Sequence, residues 1–404
     1  MRDTELFQLA LSLMPPWLVE GCTFDVSEKR LDIQIDFERG GVFPCPVCGQ
    51  AGCKAYDTEE KTWRHLNFFE HETYLHAFVP RVQCPDCGIK TAGVPWARPG
   101  SGFTLLFEAL VLILCKQMPV KAVAALVHEH DTRIWRILKY HVQEARSRED
   151  FSKVRRVGMD ETSRRKGHRY VSFFMDVDRR KLLFGTPGKD AATVEAFARD
   201  LEAHGGNPAQ IREASLDMSP ALIQGVHEYL PNAQITFDKF HAVKLVNEAL
   251  EEVRREEQKS HQELKRSRYL WLRNPQNLRR DEKDRLGVLL GQSHLKTGRA
   301  YRIKLAFQGL YDEHLRTAEA YLKRWYFWAT HSRMAPIIKV AHTIREHWDG
   351  ILRWFHSGLT NALLEGTNSL IQAAKAKARG YRSAEYLLTI AYLIAGQLTF
   401  NLPT

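Results

Sequence analysis

The sequence predicts a multidomain chain of mixed α+β and α/β class, and three observations carry that expectation. Two Cys-x-x-Cys knuckles lie near the N-terminus, at Cys45–Cys48 and Cys84–Cys87. Residues 103–143 follow a helical period with two breaks. From residue 154 the period turns strand-like, in the order strand, strand, strand, helix, strand, helix, strand, and then reverts to helix.

Composition sets the bounds. A chain of 404 residues has room for two or three domains. With 44% hydrophobic and 26% charged residues, general disorder is excluded. The formal charge of +10 favours a polyanionic partner, nucleic acid ahead of an anionic membrane. The start, Met1-Arg-Asp-Thr-Glu5, lacks a basic segment followed by an apolar run, so a cytoplasmic protein is expected. The most apolar stretches run from Phe103 to Cys115 and from Tyr386 to Leu402. Glu108 interrupts the first, and Gly396 and Gln397 the second. Neither supplies the ~20 apolar residues a membrane span needs, and both read as core helices.

The elements follow in order. Leu6, Leu9 and Leu13 mark an amphipathic helix, and Leu31 to Phe37 an alternating strand closed by Gly40-Gly41. The knuckles Cys45-Pro-Val-Cys48-Gly49 and Cys84-Pro-Asp-Cys87-Gly88 are tight turns that let two sulfurs converge. Strand-like runs at Thr62–Phe69 and Thr73–Val79 predict a hairpin that brings the knuckles together. Paired cysteines at this spacing in an intracellular chain point to metal, here a structural zinc held by Cys45, Cys48, Cys84 and Cys87. Cys53 is a spare thiol that could compete; Cys22 and Cys115 read as buried small hydrophobes. This module is expected to occupy residues 1–98.

Residues 99–150 predict a helix-turn-helix. One helix runs from Phe103 to Lys116, a second from about Val120 to His128 after Pro119, and a third from Asp131 as N-cap. Ile134, Ile137 and Leu138 form its apolar stripe. Arg133, Arg136 and Lys139 lie away from it, where base edges in a major groove would meet them.

Val154–Asp160, Arg169–Val177 and Lys181–Thr186 predict three antiparallel strands, with Arg164-Arg165-Lys166-Gly167 as a basic turn. Asp190 caps a helix that buries Val194, Phe197 and Leu201. Ile211–Leu216 is a fourth strand, Ser219-Pro220 starts a helix, and Ala233–Phe237 is a fifth strand. This is a ribonuclease H-like mixed sheet, expected over 151–239 and 357–404. A large all-helical insertion, rich in tryptophan and charge, interrupts it at 240–356.

In such a sheet the first and fourth strands are neighbours ~4.8 Å apart, so Asp160 and Asp217 end side by side. A third acid comes from the helix after Gly358. Asn361, Glu365, Asn368, Gln372, Lys375 and Arg379 step by four and three and share a polar stripe, with Leu363, Leu364, Leu370, Ile371 and Ala374 on the core side. Three carboxylates of this kind can hold two divalent ions about 3.5–4 Å apart for phosphodiester chemistry. Arg164, Arg165, Lys166, Lys375 and Arg379 are placed to meet phosphates, giving salt-dependent affinity without sequence choice.

At this point the chain resembles a known family, the DDE transposases of bacterial insertion sequences, specifically the ISL-three family. The residues that carry the resemblance are Val157-Gly-Met-Asp160-Glu161, Ser215-Leu-Asp217-Met-Ser219-Pro220, Phe237-Asp-Lys-Phe-His241, and Glu365-Gly-Thr-Asn368 with Lys375 and Gly380-Tyr381. The resemblance implies that Asp160, Asp217 and Glu365 are catalytic ligands of Mg²⁺ or Mn²⁺. It implies cutting of double-stranded DNA at terminal inverted repeats and joining to a target, by a homo-oligomer that is at least a dimer on DNA. It also places the protein in the bacterial cytoplasm, beside the nucleoid, with no membrane partner.

Rival acids are weighed beside these. Glu161 should point to the opposite face of its strand, and Asp238 reads as an N-cap or an outer acid. His241 and His168 could help position water or phosphate, but read first as structural. Two other functions stay open: a regulator that binds DNA without chemistry, and a nuclease that cuts without joining.

Overall fold

The computed structural model describes residues 2–165, 169–359 and 362–403. Its contacts divide the chain into two compact units, Met1–Ala145 with Thr399–Thr404, and Arg146–Leu398.

The first unit opens with α1 (Asp3–Ala10), β1 (Trp17–Asp25), β2 (Arg30–Phe37), β3 (Val42–Phe43), β4 (Cys53–Arg64), β5 (Glu72–Cys84) and β6 (Gly88–Thr91). The strands form one sheet in the order β1-β2-β5-β4-β3, with β6 paired to β5. Only β2 and β5 run parallel; the other pairs are antiparallel. Alternate residues of β5 (Thr73, Leu75, Ala77 and Val79) are buried, as the two-residue period of a strand requires. Trp96 closes this core edge-on to Trp17 and Trp63, with ring centroids 5.0 and 5.5 Å apart.

Three helices follow: α2 (Leu105–Gln117), α3 (Val120–Leu126) and α4 (Asp131–Ser147). Thr104 caps α2 by accepting from the Phe107 amide. Ile134, Ile137, Leu138 and Val142 are buried on one stripe of α4. A buried ionic group ties α2 to α4. The Glu108 carboxylate accepts from Arg98 Nε at 3.1 and 3.0 Å, from Ser101 Oγ at 2.7 Å and from His141 Nε2 at 2.6 Å. Burial alone would raise the Glu108 pKa, yet the hydrogen bonds from His141, Ser101 and Arg98 hold it below its ordinary value.

The second unit begins with β7 (Arg156–Arg165), β8 (Arg169–Asp176), β9 (Lys181–Pro187), α5 (Ala191–Ala203), β10 (Glu213–Leu216), α6 (Pro220–Tyr229) and β11 (Gln234–Phe237). The sheet order is β11-β10-β7-β8-β9. β7, β8 and β9 are antiparallel, and β10 runs parallel to both β7 and β11. Val194, Phe197 and Leu201 of α5 are fully buried, Phe197 stacked on Phe174 at 4.5 Å.

The helical stretch comprises α7 (Lys239–Glu257), α8 (Arg268–Leu272), α9 (Arg280–Gly291), α10 (Lys296–Gly309), α11 (Leu315–Thr330), α12 (Ala335–Glu346) and α13 (Trp348–Ser357). Its own core centres on Trp271, Tyr301, Phe307 and Trp325. Two buried charges organise it. Lys304 Nζ donates to the carbonyls of Trp271, Leu272 and Arg273 at 3.2, 3.2 and 3.3 Å, capping the end of α8, and burial lowers its pKa to about 8. Glu257 accepts from the amides of Lys296 and Thr297, both at 2.7 Å, and so caps the start of α10. The chain then completes the second unit with α14 (Ala362–Lys377) and α15 (Ala384–Ala395). No helix among the described residues is long and apolar enough to cross a membrane.

The zinc-type module, the helix-turn-helix and the mixed sheet with its helices appear as expected, with local differences. In α1 it is Phe7 that is buried, while Leu6 and Leu9 face solvent. β1 escaped the sequence reading because its outer half is exposed and does not alternate. The hairpin starts earlier, at Cys53, and stops at Arg64; Phe69 sits in the turn with φ of +53°. Asp131 is the first residue of α4 rather than the cap before it. Arg164 and Arg165 continue β7 instead of turning, and Arg165 pairs with Arg169. Their side chains, and Lys166 and His168 altogether, lie outside the described residues, as does Asn361.

Substituting Glu108 tests the buried ionic group. Glu108→Leu keeps the volume but strands Arg98 and His141, so it is expected to destabilise the first unit by about 3–5 kcal/mol. Urea unfolding followed by tryptophan fluorescence measures this. A loss well under about 1 kcal/mol would show that the group does not hold α2 to α4.

Candidate functional site

The first site lies at the end of the N-terminal sheet. Cys45 and Cys48 follow β3, and Cys84 and Cys87 form the β5–β6 turn. Gly49 and Gly88 both take positive φ, +76° and +71°, which is what lets each knuckle fold back on itself. The four sulfurs lie within 4.8 Å of one another, Cys48 and Cys84 at 3.6 Å. The amides of Cys48 and Val47 hold the Cys45 thiol down to about 7, whereas its neighbours, Cys48 first, push Cys87 up to about 12. Four thiols in contact, one of them easily ionised, suit a tetrahedral zinc ion. Cys53 borders this group: its Sγ is 3.4 Å from the Gln50 carbonyl, and burial together with neighbouring Cys84 raises its pKa. Cys115 is buried, as expected, and Cys22 is only half-buried, 3.4 Å from Asp3.

The basic residues of α4 fall into different settings. Arg133 is drawn back, its Nη1 2.6 Å from Glu129 and its guanidinium 4.2 Å above the Phe103 ring. Arg136 is exposed on the outer face, and Lys139 is half-buried.

The second site is built where β7, β10 and α14 meet. Ser215 pairs with Gly158 in the parallel ladder, and this register continued by two residues sets Asp217 opposite Asp160. Helix α14 crosses β7 at close range. A Cβ on Gly158 would lie 2.5 Å from Leu364 Cδ1, so any side chain here would force the buried Leu364 to shift. Gly158, Asp160 and Thr162 share one face of β7, and α14 addresses that face residue by residue. Asn368 Nδ2 donates to Asp160 Oδ2, and Gln372 Nε2 to Thr162 Oγ1. Lys375 Nζ donates to the Ser163 carbonyl at 2.6 Å and to Gln372 at 2.9 Å.

The predicted polar stripe is therefore largely a docking seam. Glu365 stays exposed beside it, Leu364 and Ile371 are buried, but Leu370, expected in the core, is 49% exposed. Arg379 lies past the helix end with φ of +56°, exposed and off the stripe.

Electrostatics mark this as a concentrated negative site. Burial raises the Asp160 pKa, and the Asp217 charge adds to it against opposing contributions from the Glu161 amide, His241 and Asn368. Glu161 is raised to about 7 by burial and by repulsion from Asp217; its Oε1 is buried with no hydrogen-bond partner among the described residues. Glu365 is raised by partial burial and by Asp238 and Asp160. Asp238 is 2% exposed and makes no side-chain cap bond to α7. It faces His241 Nδ1 at 3.3 Å instead and raises that histidine's pKa, with Asp217 and Asp160 contributing further. Sequence reasoning treated Asn368 as one amide in a stripe and His241 as structural. The Asp-x-x-His spacing at a helix start was the signal for the latter, since it sets both side chains on one face. An all-oxygen donor set of this kind suits magnesium or manganese.

Comparison with known proteins places these features together. Residues 157–391 match the transposase model of the ISL3 family. Residues 94–142 match the helix-turn-helix domain of transposase family ISL3, and residues 41–87 the zinc-finger of transposase IS204/IS1001/IS1096/IS1165. The chain is 29% identical to a transposase for insertion sequence element IS1557 from Mycobacterium tuberculosis, over 97% of this chain and 96% of that protein. It is 28% identical to a transposase for insertion sequence element IS1001 from Bordetella parapertussis, over 85% and 87% respectively.

Two measurements probe the sites. Protein purified without chelator is expected to carry zinc near one equivalent per chain, lost in Cys84→Ser, by elemental analysis; zinc at the same level in the variant would remove the four-cysteine assignment. Gly158→Ala is expected to loosen α14, seen as faster amide exchange over residues 362–377. Adding Leu364→Ala should restore much of the protection by making room for the new methyl. Unchanged exchange in Gly158→Ala would show that the close approach is not what seats the helix.

Proposed function

The chain belongs to the ISL3 family of transposases, and from that premise we propose that it binds the terminal inverted repeats of an insertion sequence, cuts DNA there and joins the freed end to a target. The observation that supports this reading best is that Asp160 stands on β7 and Asp217 just past the end of the adjacent interior strand β10, with the helix of Glu365 hydrogen-bonded to Asp160 and the Asp160 charge felt at Glu365. In this reading residues 151–239 and 357 onward form the catalytic core, which the helices of 240–356 interrupt.

The three acids are the ligands for a pair of divalent ions. The donor set fits: burial and neighbouring acids raise the pKa of Asp160 and of Glu365, and a cation held beside them relieves both. Bound Mg²⁺ or Mn²⁺ supplies activation of the attacking oxygen and stabilisation of the leaving one. The protein's own part is placement. Asn368 holds one oxygen of Asp160 and the Glu161 amide the other, which fixes the carboxylate plane. The Ser219 amide, 2.9 Å from Asp217 Oδ1, does the same for the second acid.

Water oxygen attacks phosphorus, the bond to the 3′ oxygen breaks, and a 3′-hydroxyl is released. That hydroxyl then attacks a phosphodiester of the target, so one bond forms as one breaks. His241, held by buried Asp238 and facing the acids, is a group in this cluster able to carry a proton during these exchanges.

In unit one, Arg136 and Lys139 of α4 are the residues proposed to meet base edges, with Arg133 held by Glu129 in support. Arg164, Arg165, Lys166, Lys375 and Arg379 are proposed to meet phosphates beside the cut. The active form is a homo-oligomer, at least a dimer, on the two ends of the element.

The deciding experiment uses a duplex carrying the element's own end, a target plasmid, and Mg²⁺ or Mn²⁺. Wild type is expected to cut and join. Asp160→Asn, Asp217→Asn and Glu365→Gln should each lose both steps by more than about a hundredfold while still binding the end DNA. Cutting without joining would make the protein a nuclease. Binding with no chemistry under either metal would make it a DNA-binding regulator.

A further inference from the structure

Away from the acid cluster, the helical stretch gathers two histidines and a glutamate at its surface. His261 and Glu263 belong to the short turn after α7, and His294 to the loop between α9 and α10. Their ligand atoms all lie within 4.8 Å of one another. Glu263 Oε1 stands between the rings, 3.2 Å from His261 Nδ1 and 3.8 Å from His294 Nε2. The ring centroids are 5.1 Å apart.

We propose that His261, Glu263 and His294 form a binding site for a divalent transition-metal ion of the zinc type, separate from both the four cysteines and the acid cluster. Donor chemistry argues for that class of ion. Two imidazoles and one carboxylate are borderline donors that suit zinc, cobalt or nickel, whereas magnesium prefers oxygen alone. The dimensions agree. Ligands about 2.0–2.1 Å from a tetrahedral ion sit about 3.4 Å from one another, and the two contacts of Glu263 straddle that separation. Rotation of exposed side chains is enough to close the remaining gap. His294 is 57% exposed and the other two about a third, so water can complete the coordination sphere.

The position gives the site a purpose. Glu257 ends α7 and caps α10, accepting from the amides of Lys296 and Thr297 and from the Thr297 hydroxyl, all at 2.7 Å. His261 follows that glutamate by four residues and His294 precedes Lys296 by two. An ion held between them spans the same junction on its outer side. It therefore adds a second link between two helices that pack side by side in the core of the stretch. The simpler alternative is a carboxylate hydrogen-bonded to two surface histidines with no affinity for metal, and the two make opposite predictions.

The test uses the full-length protein with its cysteine site loaded with zinc. Asp160→Asn and Glu365→Gln are included to weaken cation binding at the acid cluster. Titration with Co²⁺, followed by calorimetry and visible absorption, is expected to show one further ion per chain. Its spectrum should lack the thiolate charge-transfer band, and the melting temperature should rise by several degrees. His261→Ala and His294→Ala are each expected to abolish the binding and the shift, and Glu263→Gln to weaken binding by at least about tenfold. His314→Ala, which removes an exposed histidine elsewhere in the stretch, should leave both unchanged. No further ion in the parent protein, or an ion retained by the His261→Ala/His294→Ala double variant, would overturn the site. Circular dichroism confirms folding of each variant; a variant that fails to fold is replaced by Glu263→Gln, whose side chain keeps the same size.

Discussion

Like charges resist being gathered, and the second unit is built around gathering them. Asp160 and Glu161 of β7, Asp217 just after β10, Asp238 at the start of α7 and Glu365 of α14 lie close enough to perturb one another or the nearby His241. Burial and mutual repulsion push several of these carboxyls toward the protonated state. Such a cluster persists only if the surrounding structure holds it. Here the parallel ladder between β7 and β10 sets the first two acids abreast. The missing side chain of Gly158 then lets α14 come close enough for Asn368 to reach Asp160. The stabilising contacts run along β7, and Asp160 and Glu161 sit in the middle of that strand.

Much of this was readable from residues alone, for identifiable reasons. The knuckles announced themselves because four thiols need an exact chain geometry, and few other patterns share it. The sheet order followed from the succession of elements, three strands and then two more separated by helices, which is a ribonuclease H-like layout. Glu365 stood out by its helical spacing. What could not be read was contact. Asn368, Gln372 and Lys375 were legible as one polar stripe but not as a seam against β7, since a period of 3.6 reports a shared face and not what lies opposite. Nothing in the sequence shows that Gly158 faces Leu364, because the two are brought together only by the packing of α14 on β7. The exposed leucines of α1 and Leu370 show the same gap: an apolar residue at a core spacing is not thereby in the core.

The two units use buried charge in the same way. In the first, Glu108 draws Arg98, Ser101 and His141 around itself and fixes how α2 meets α4. In the helical stretch, Glu257 and Lys304 each close off a helix end that hydrophobic packing alone would leave with unmet amides or carbonyls. Both devices specify an arrangement of helices at the cost of desolvating an ion. That suits segments whose sequence patterning is weak and whose helices are short, such as α8 with its five residues.

The order of the acids along the chain has a consequence for how the protein comes into being. Asp160 and Asp217 are synthesised within one short stretch, but Glu365 follows Asp217 by 148 residues (365 − 217), after every helix of the intervening stretch. A polypeptide emerging from the ribosome therefore carries an unfinished centre for most of its synthesis. Any product ending early, by a premature stop or by proteolysis within 240–356, retains the zinc module and the helix-turn-helix but lacks the third carboxylate. Such a product keeps the segments matched by the zinc-finger and helix-turn-helix models, residues 41–142, and loses the C-terminal part of the transposase match, so early termination separates the N-terminal modules from a completed second unit.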